Sequence, residues 1–378
     1  MRRIARASGT CSAHGALALL ALGSWLLGCA GCPAAFSSPA GGPDGTAPRG
    51  GEPPAELVRP GERHLRNLRQ LTFGGENAEA YFSFDGTRLV FQSTRPPFAC
   101  DQIFVMGLEG GTPRLVSTGK GRTTCAYFLP DGQRVLYAST HLDSPDCPPP
   151  PDRSRGYVWP VYSGYDLFIA TADQPAAVRL TDTPGYDAEA TVSPRGDRIV
   201  FTSMRDGDLE LYSMRLDGSE LRRLTHEVGY DGGAFYSPDG SRIVYRRSRF
   251  DSEAEVAEYR ELLAQGKVRP GKLEIWVMDA DGSNKRQVTD FGAASFCPFF
   301  HPDGERIIFS SNLHEPRSRN FELYLIRVDG TGLERVTFSE EFDGFPMFSP
   351  DGTRLVFCSN RNAARPGETN VFVADWVE

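Results

Sequence analysis

Beyond Cys29 and Cys32 near the N-terminus the sequence contains no CxxC pair, and it has no HExxH motif, no GxSxG elbow and no phosphate-gripping glycine loop. Structural zinc, zinc-dependent proteolysis, the α/β-hydrolase nucleophile and nucleotide binding therefore lack their usual signatures. Histidines number only 6. Of these, His14 falls in an apparent leader and His301 in a repeated turn, so few general bases remain. No basic tract runs along the chain, and the formal net charge is -8. That balance argues against a nucleic-acid partner. The apolar stretch at 17–28 is short and rich in small residues, which argues against a membrane span.

Glycine (40) and proline (28) are plentiful instead, as a chain of many turns requires. The first residues read as a targeting device. MRRIAR carries positive charge, the apolar stretch follows, and LLGC at 26–29 has the pattern of a bacterial lipobox. Residues 1–28 are expected to be a lipoprotein signal peptide with Cys29 as the lipidated residue. Ala30 fits outer-membrane sorting in a two-membrane host. Residues 29–67, rich in Gly, Pro, Ala and Ser, lack periodicity and are read as a tether. An exported chain admits disulfides, and Cys100 with Cys147, both in loops, is the best candidate pair.

From residue 68 the sequence repeats itself. Six related turns, FDG at 84–86, LPDG at 129–132, SPRG at 193–196, SPDG at 237–240 and 349–352 and HPDG at 301–304, each follow a short apolar run and precede an alternating one. The preceding runs include AEAYFS, CAYFL and GAFYS; the following ones include TRLVF, QRVLY and SRIVY. A third strand-like run follows in each unit, and a fourth ending in Thr completes the first five. Each unit reads as a four-stranded antiparallel meander, here strands a to d. Six such units stacked about an axis make an all-β, six-bladed propeller. The last unit lacks strand d, and LRQLT at 68–72 precedes the first. The N-terminal strand is expected to complete the last blade.

FSPDGTRLVF at 348–357 and ELYSMRLDGSELRRLT at 210–225 resemble the TolB-type, or PD40, relatives of WD40 propellers. The resemblance covers 68–376 and implies the propeller fold. TolB itself carries a separate α/β domain ahead of its propeller, and residues 29–67 do not resemble one.

The SPDG turns lie on one side of such a propeller, and the long b–c insertions on the other. These insertions include 95–101, 141–164, 248–272, 313–320 and 361–370, so the "top" they occupy is the expected working face. Ser252 and Glu255 form a capping box, with Val256, Tyr259 and Leu263 on one face, so a short helix is expected near 252–265. Trp159 and the tyrosines around it offer aromatic surface for a ligand or pin their own loop. Aligned starts of strand a place Asp187, Asp231 and Asp343 at one level. Glu79, Cys125, Glu189, Gly233, Cys297 and Phe345 fall two residues deeper. Ends of strand b bring Arg95, Arg205, Arg249 and Arg361 to the same side. The acids could hold a cation such as calcium, or with the arginines bind a charged or sugar ligand. Alternatively, the acids cap backbone groups and pair with the arginines between blades. No other cofactor is indicated.

The expected function is a non-catalytic binding protein of the cell envelope. A lipid anchor would contact the membrane, at the periplasmic side of the outer membrane in a two-membrane host, and the top face would take a protein or glycan partner. Two alternatives are a hydrolase or lyase acting on exported saccharide or peptide, and a purely structural assembly component.

Overall fold

The computed structural model describes residues 57–378 apart from 173 and 340. The chain divides into two units, Met1–Pro48 and Arg49–Glu378, and every described residue belongs to the second. The expected signal peptide, Cys29 and the tether up to residue 56 lie outside the described residues.

Six four-stranded antiparallel sheets form the six blades of a propeller. Strand a of the successive blades is Glu76–Phe82, Thr123–Phe128, Asp187–Val192, Asp231–Tyr236, Ser295–Phe300 and Asp343–Phe348. Strand b is Arg88–Thr94, Arg134–Ser139, Arg198–Ser203, Arg242–Ser248, Arg306–Ser311 and Arg354–Ser359. Strand c of the sixth blade, Asn370–Trp376, pairs with Leu65–Gln70, so the two chain ends share one sheet. The register sets Arg69 opposite Val373 and Gln70 opposite Phe372. The closing strand starts at Leu65, three residues before the repeat-like LRQLT, because the sheet extends to pair Leu65 with Trp376.

Blades pack face to face, so the middle of strand b, read from the sequence as an alternating run, is instead buried on both sides. Its aromatic residue (Phe91, Tyr137, Phe201, Tyr245, Phe309 or Phe357) has no exposed surface. Opposite it in strand c stands a second aromatic residue (Phe104, Phe168, Tyr212, Trp276, Tyr324 or Phe372). Such cross-strand ring pairs each stabilise a sheet by up to about 1 kcal/mol.

The two repeated sequence signals have distinct local causes. In the turns, Asp239 accepts from the Ser241 amide at 3.0 Å and Gly240 takes a φ of 70°, a left-handed conformation that suits glycine. The Thr closing strand d accepts from a strand-c amide. The pairs are Leu211 to Thr225 at 2.8 Å, Ile275 to Thr289 at 2.8 Å and Leu323 to Thr337 at 2.8 Å. That Thr satisfies a buried amide in the middle of the blade.

The long b–c insertions all open on the top. Cys100 and Cys147 are joined as a disulfide, tying the first blade's insertion to the second's. The expected helix is present as Glu253–Ala264, capped by Ser252, whose side chain accepts from the Glu255 amide. Tyr259, Leu262 and Leu263 are its buried residues. After the helix, Lys267–Val268 pairs antiparallel with Trp159–Pro160 from the second blade's insertion. An arch thus links blades two and four above the third, whose own b–c turn is tight.

Candidate functional site: a closed-ended cup at the top of the axis

One residue in each strand a has positive φ: Glu79 (54°), Cys125 (51°), Glu189 (57°), Gly233 (58°), Cys297 (52°) and Phe345 (56°). The pairing of strands a and b shifts register around each of these positions, as at a β-bulge. All six line the central cavity. The strand starts two residues earlier, Asp187, Asp231 and Asp343, do not line it. A regular strand would put positions one and three on the same face; the bulge breaks that alternation and gives the axis to the third residue.

The cavity measures about 830 Å³. Its floor is aromatic. Tyr81 lies 5.3 Å from Phe235 and 6.0 Å from Tyr127, and Phe235 lies 5.3 Å from Phe299, centroid to centroid. Tyr81 and Phe235 line the top cavity, whereas Tyr127 and Phe299 line a smaller one among the SPDG turns. These rings separate the two, so the top cavity is a cup. Its walls come from the insertions: Asp101, Trp159, Arg269, Arg319, Asn360 and Thr369 all line it.

Near the floor, Glu189 is saturated. It accepts from Tyr230 Oη at 2.5 Å, Thr202 Oγ1 at 2.9 Å, the Gly233 amide at 2.9 Å and Arg246 Nη2 at 2.6 Å. Burial alone would raise its pKa; the Arg246 charge and these bonds hold it below the usual carboxylate range. Arg246 lies over the Tyr230 and Trp159 rings, 4.5 and 5.3 Å from their centroids. Glycine makes room for the pair. A Cβ at Gly233 would stand 2.1 Å from Arg246 Nη1, and one at Gly232 would stand 2.3 Å from Glu189 Oε2.

Glu79 is different. Burial pushes its pKa up to about 7, with Glu189 and Asp101 adding to the rise and Cys125 and Arg246 opposing it. A carboxyl titrating near neutrality can donate or accept a proton or pair with a cation.

At the rim, the exposed ring of Tyr157 lies between two guanidinium groups, Arg153 at 5.1 Å and Arg319 at 4.5 Å. Trp159 packs edge-on against Phe296 at 5.7 Å and Tyr230 at 6.2 Å. Tyr162 pins its loop by donating to the Pro149 carbonyl at 2.8 Å.

Of the residues singled out from sequence as ligand-binding, Trp159 lines the cup and the charged ones do not. Asp187 pairs with Arg205 at 3.1 Å, and Arg205 lies over the Phe201 and Tyr212 rings of its own blade. Asp343 pairs with Arg361 at 2.7 Å, both without exposed surface, and Arg361 also holds Glu62 at 3.0 Å. Asp231 is buried, 3.7 Å from Arg247, and desolvation raises its pKa well above the carboxylate range. Arg249 turns away to Asp251 and Asp290. Arg95 donates to Asn77 Oδ1 at 2.8 Å and lies over Phe91 and Phe104. The three aspartates therefore stay within separate blades. Among the described residues, no group of three or more His, Cys, Asp or Glu side chains is placed to hold a metal ion, and no helix is long and apolar enough to cross a membrane.

Sequence reasoning placed Glu79 and Glu189 at one depth but did not find the bulge, because Glu, Cys, Gly and Phe all occupy it. Arg246 was missed outright. Its signal is present, however: the equivalent strand-b positions hold Gln92, Ala138, Thr202, Ser310 and Cys358, and only the fourth blade places a charge there.

Comparison with known proteins agrees with this architecture. A protein assigned as TolB from Agrobacterium tumefaciens superposes with a TM-score of 0.53 at 19% identity, over 82% of this chain and 97% of that one. TolB from Acinetobacter baumannii superposes with a TM-score of 0.53 at 17% identity, over 80% of this chain and 64% of that one. At such identities the likeness is one of fold. The family model for PD40, the TolB beta propeller domain, matches residues 158–268 and 260–376. With its six blades and its shared closing sheet, the chain belongs to the PD40 family of TolB beta propeller domains.

Proposed function

We propose that this chain is a non-catalytic binding protein of the cell envelope that takes part of a protein or glycan partner into the top cup. The observation that carries the reading is convergence. Insertions from separate blades supply the walls of one closed-ended cavity, and the second and fourth join in an arch above it. Aromatic side chains with a few placed charged groups suit recognition. Glu189, the one floor carboxylate with a full set of partners, is committed to holding Arg246 and is poorly free for chemistry. The lipobox around Cys29 supports tethering to a membrane, in the outer membrane of a two-membrane host.

The test is affinity capture from envelope extract with the wild-type chain and with a Trp159→Ala, Arg153→Glu, Arg319→Glu variant. The expected result is a partner retained by the first and lost by the second. A partner set unaffected by these rim changes would refute the reading. One observation favours a second reading, a hydrolase or lyase: Glu79, with a pKa of about 7, suits general acid catalysis in the cup. Turnover of exported saccharides or peptides that vanishes in Glu79→Gln would establish it.

A further inference from the structure

The floor of the cup carries an unbalanced charge. Glu189 and Arg246 cancel each other at 2.6 Å. Glu79 shares the cavity with both, and among the described residues no ion pair includes it. Tyr81, Tyr186, Tyr230 and Phe345 line the same cavity. Glu79 faces Cys125 from blade two, Glu189 from blade three, Arg246 from blade four, Cys297 from blade five and Cys358 from blade six, with Asp101 from the first insertion. The thiols of Cys125 and Cys297 are kept protonated by burial. Asp101 is balanced by Arg122 at 3.3 Å, so the ionised floor groups Glu79, Glu189 and Arg246 sum to one negative charge, while Glu76, Arg153, Arg269 and Arg319 line the same cavity.

We infer that the cup floor is a binding site for a primary ammonium group, with Glu79 as its counter-ion and the surrounding rings as its walls. This deepens the proposed function and rests on it: the ammonium is the part of the partner that reaches deepest. An aromatic cage with one carboxylate is the environment that favours an alkylammonium over water, through ring quadrupoles and a charge-assisted hydrogen bond. The ammonium displaces the proton from Glu79, so binding below pH 7 releases a proton and affinity rises as pH increases through about 7. A lysine side chain or an amino sugar can supply the same group.

The experiment is calorimetric titration of the whole protein with benzylammonium and with its neutral counterpart, benzyl alcohol, in buffers of different ionisation enthalpy. Expected are tighter binding of the ammonium, proton release on the acid side, and an affinity loss of about tenfold or more in Glu79→Gln. Glu79→Asp should restore part of it. Equal binding of the alcohol, no proton release, or unchanged affinity in Glu79→Gln would overturn the assignment. Titration with N-acetyl-lysine methylamide and with glucosamine then separates the sources: Glu79-dependent binding of the first points to a protein, of the second to a glycan. If the amine arms fail while partner capture still depends on Trp159 and the rim arginines, the binding function stands and the role of Glu79 falls.

Discussion

Glu62 and Arg361, 299 residues apart in the chain, meet with Nη2 3.0 Å from Oε1 and no exposed side-chain surface on either. Asp343 shares the same guanidinium at 2.7 Å. Glu62 also accepts from the Phe338 and Arg59 amides, at 3.1 and 2.7 Å. Desolvation makes such a group weak as net stabilisation but expensive to break. The segment before the closing strand is thereby fastened to the sixth blade by charge as well as by sheet hydrogen bonds.

Glu62→Ala is accordingly expected to lower stability by about 3 kcal/mol, since it removes the carboxylate that balances the buried Arg361 guanidinium and accepts from two backbone amides. Arg63→Ala, whose side chain is 71% exposed and pairs with Glu334, should cost less than about 1 kcal/mol. Urea midpoints of the two variants check the contrast.

Glu79 gives a pH signature with a definite sign. Its folded pKa of about 7 lies above the ordinary 4.5. Between these values the native state binds more protons than the unfolded one, so stability falls as pH rises through that window. Glu79→Gln should be more stable than the parent by about 1–3 kcal/mol above pH 7, with the gain shrinking toward zero below the ordinary carboxylate pKa. Thermal melts across the pH range read the difference.

Gly233→Ala tests the glycine gap. The added methyl meets the Arg246 guanidinium and stands on a backbone at φ 58°. A destabilisation of about 1–3 kcal/mol is expected. Gly271→Ala, where an added Cβ meets nothing within 4 Å, is the control and should be near neutral.

The Cys100–Cys147 bond closes a loop with a sequence separation of 47. Cys147→Ser should lower stability by about 2–4 kcal/mol. Mass spectrometry after alkylation, with and without reduction, should show two thiols protected in the wild-type chain that become reactive only on reduction.

Much of this architecture was legible because it is written six times. The turn glycines, the strand-b aromatics and the strand-d hydroxyls, a threonine in five blades and Ser117 in the first, each answer a backbone or packing need that recurs in every blade. The displaced LRQLT segment gave the closure. The site was legible only by depth. Asp187 and Arg205 could be read as ligands or as an ion pair because they start and end inner strands, and beside the Phe201 and Tyr212 rings they pair with each other. Which residue faces the axis depends on a bulge that Glu79, Cys125 and Phe345 all adopt, and no shared side-chain chemistry announces it. Nor could local pattern place Trp159 beside Lys267–Val268, since that contact joins insertions of two different blades.

The ring contacts of Tyr81 with Phe235 and Tyr127 make the axis of this propeller a blind alley. A polymer cannot be threaded through it, so a chain-like visitor must offer a terminus, a branch or a single protruding side group. Arrival and departure use the same doorway, and the arch beside that doorway is the place where residence time would be set.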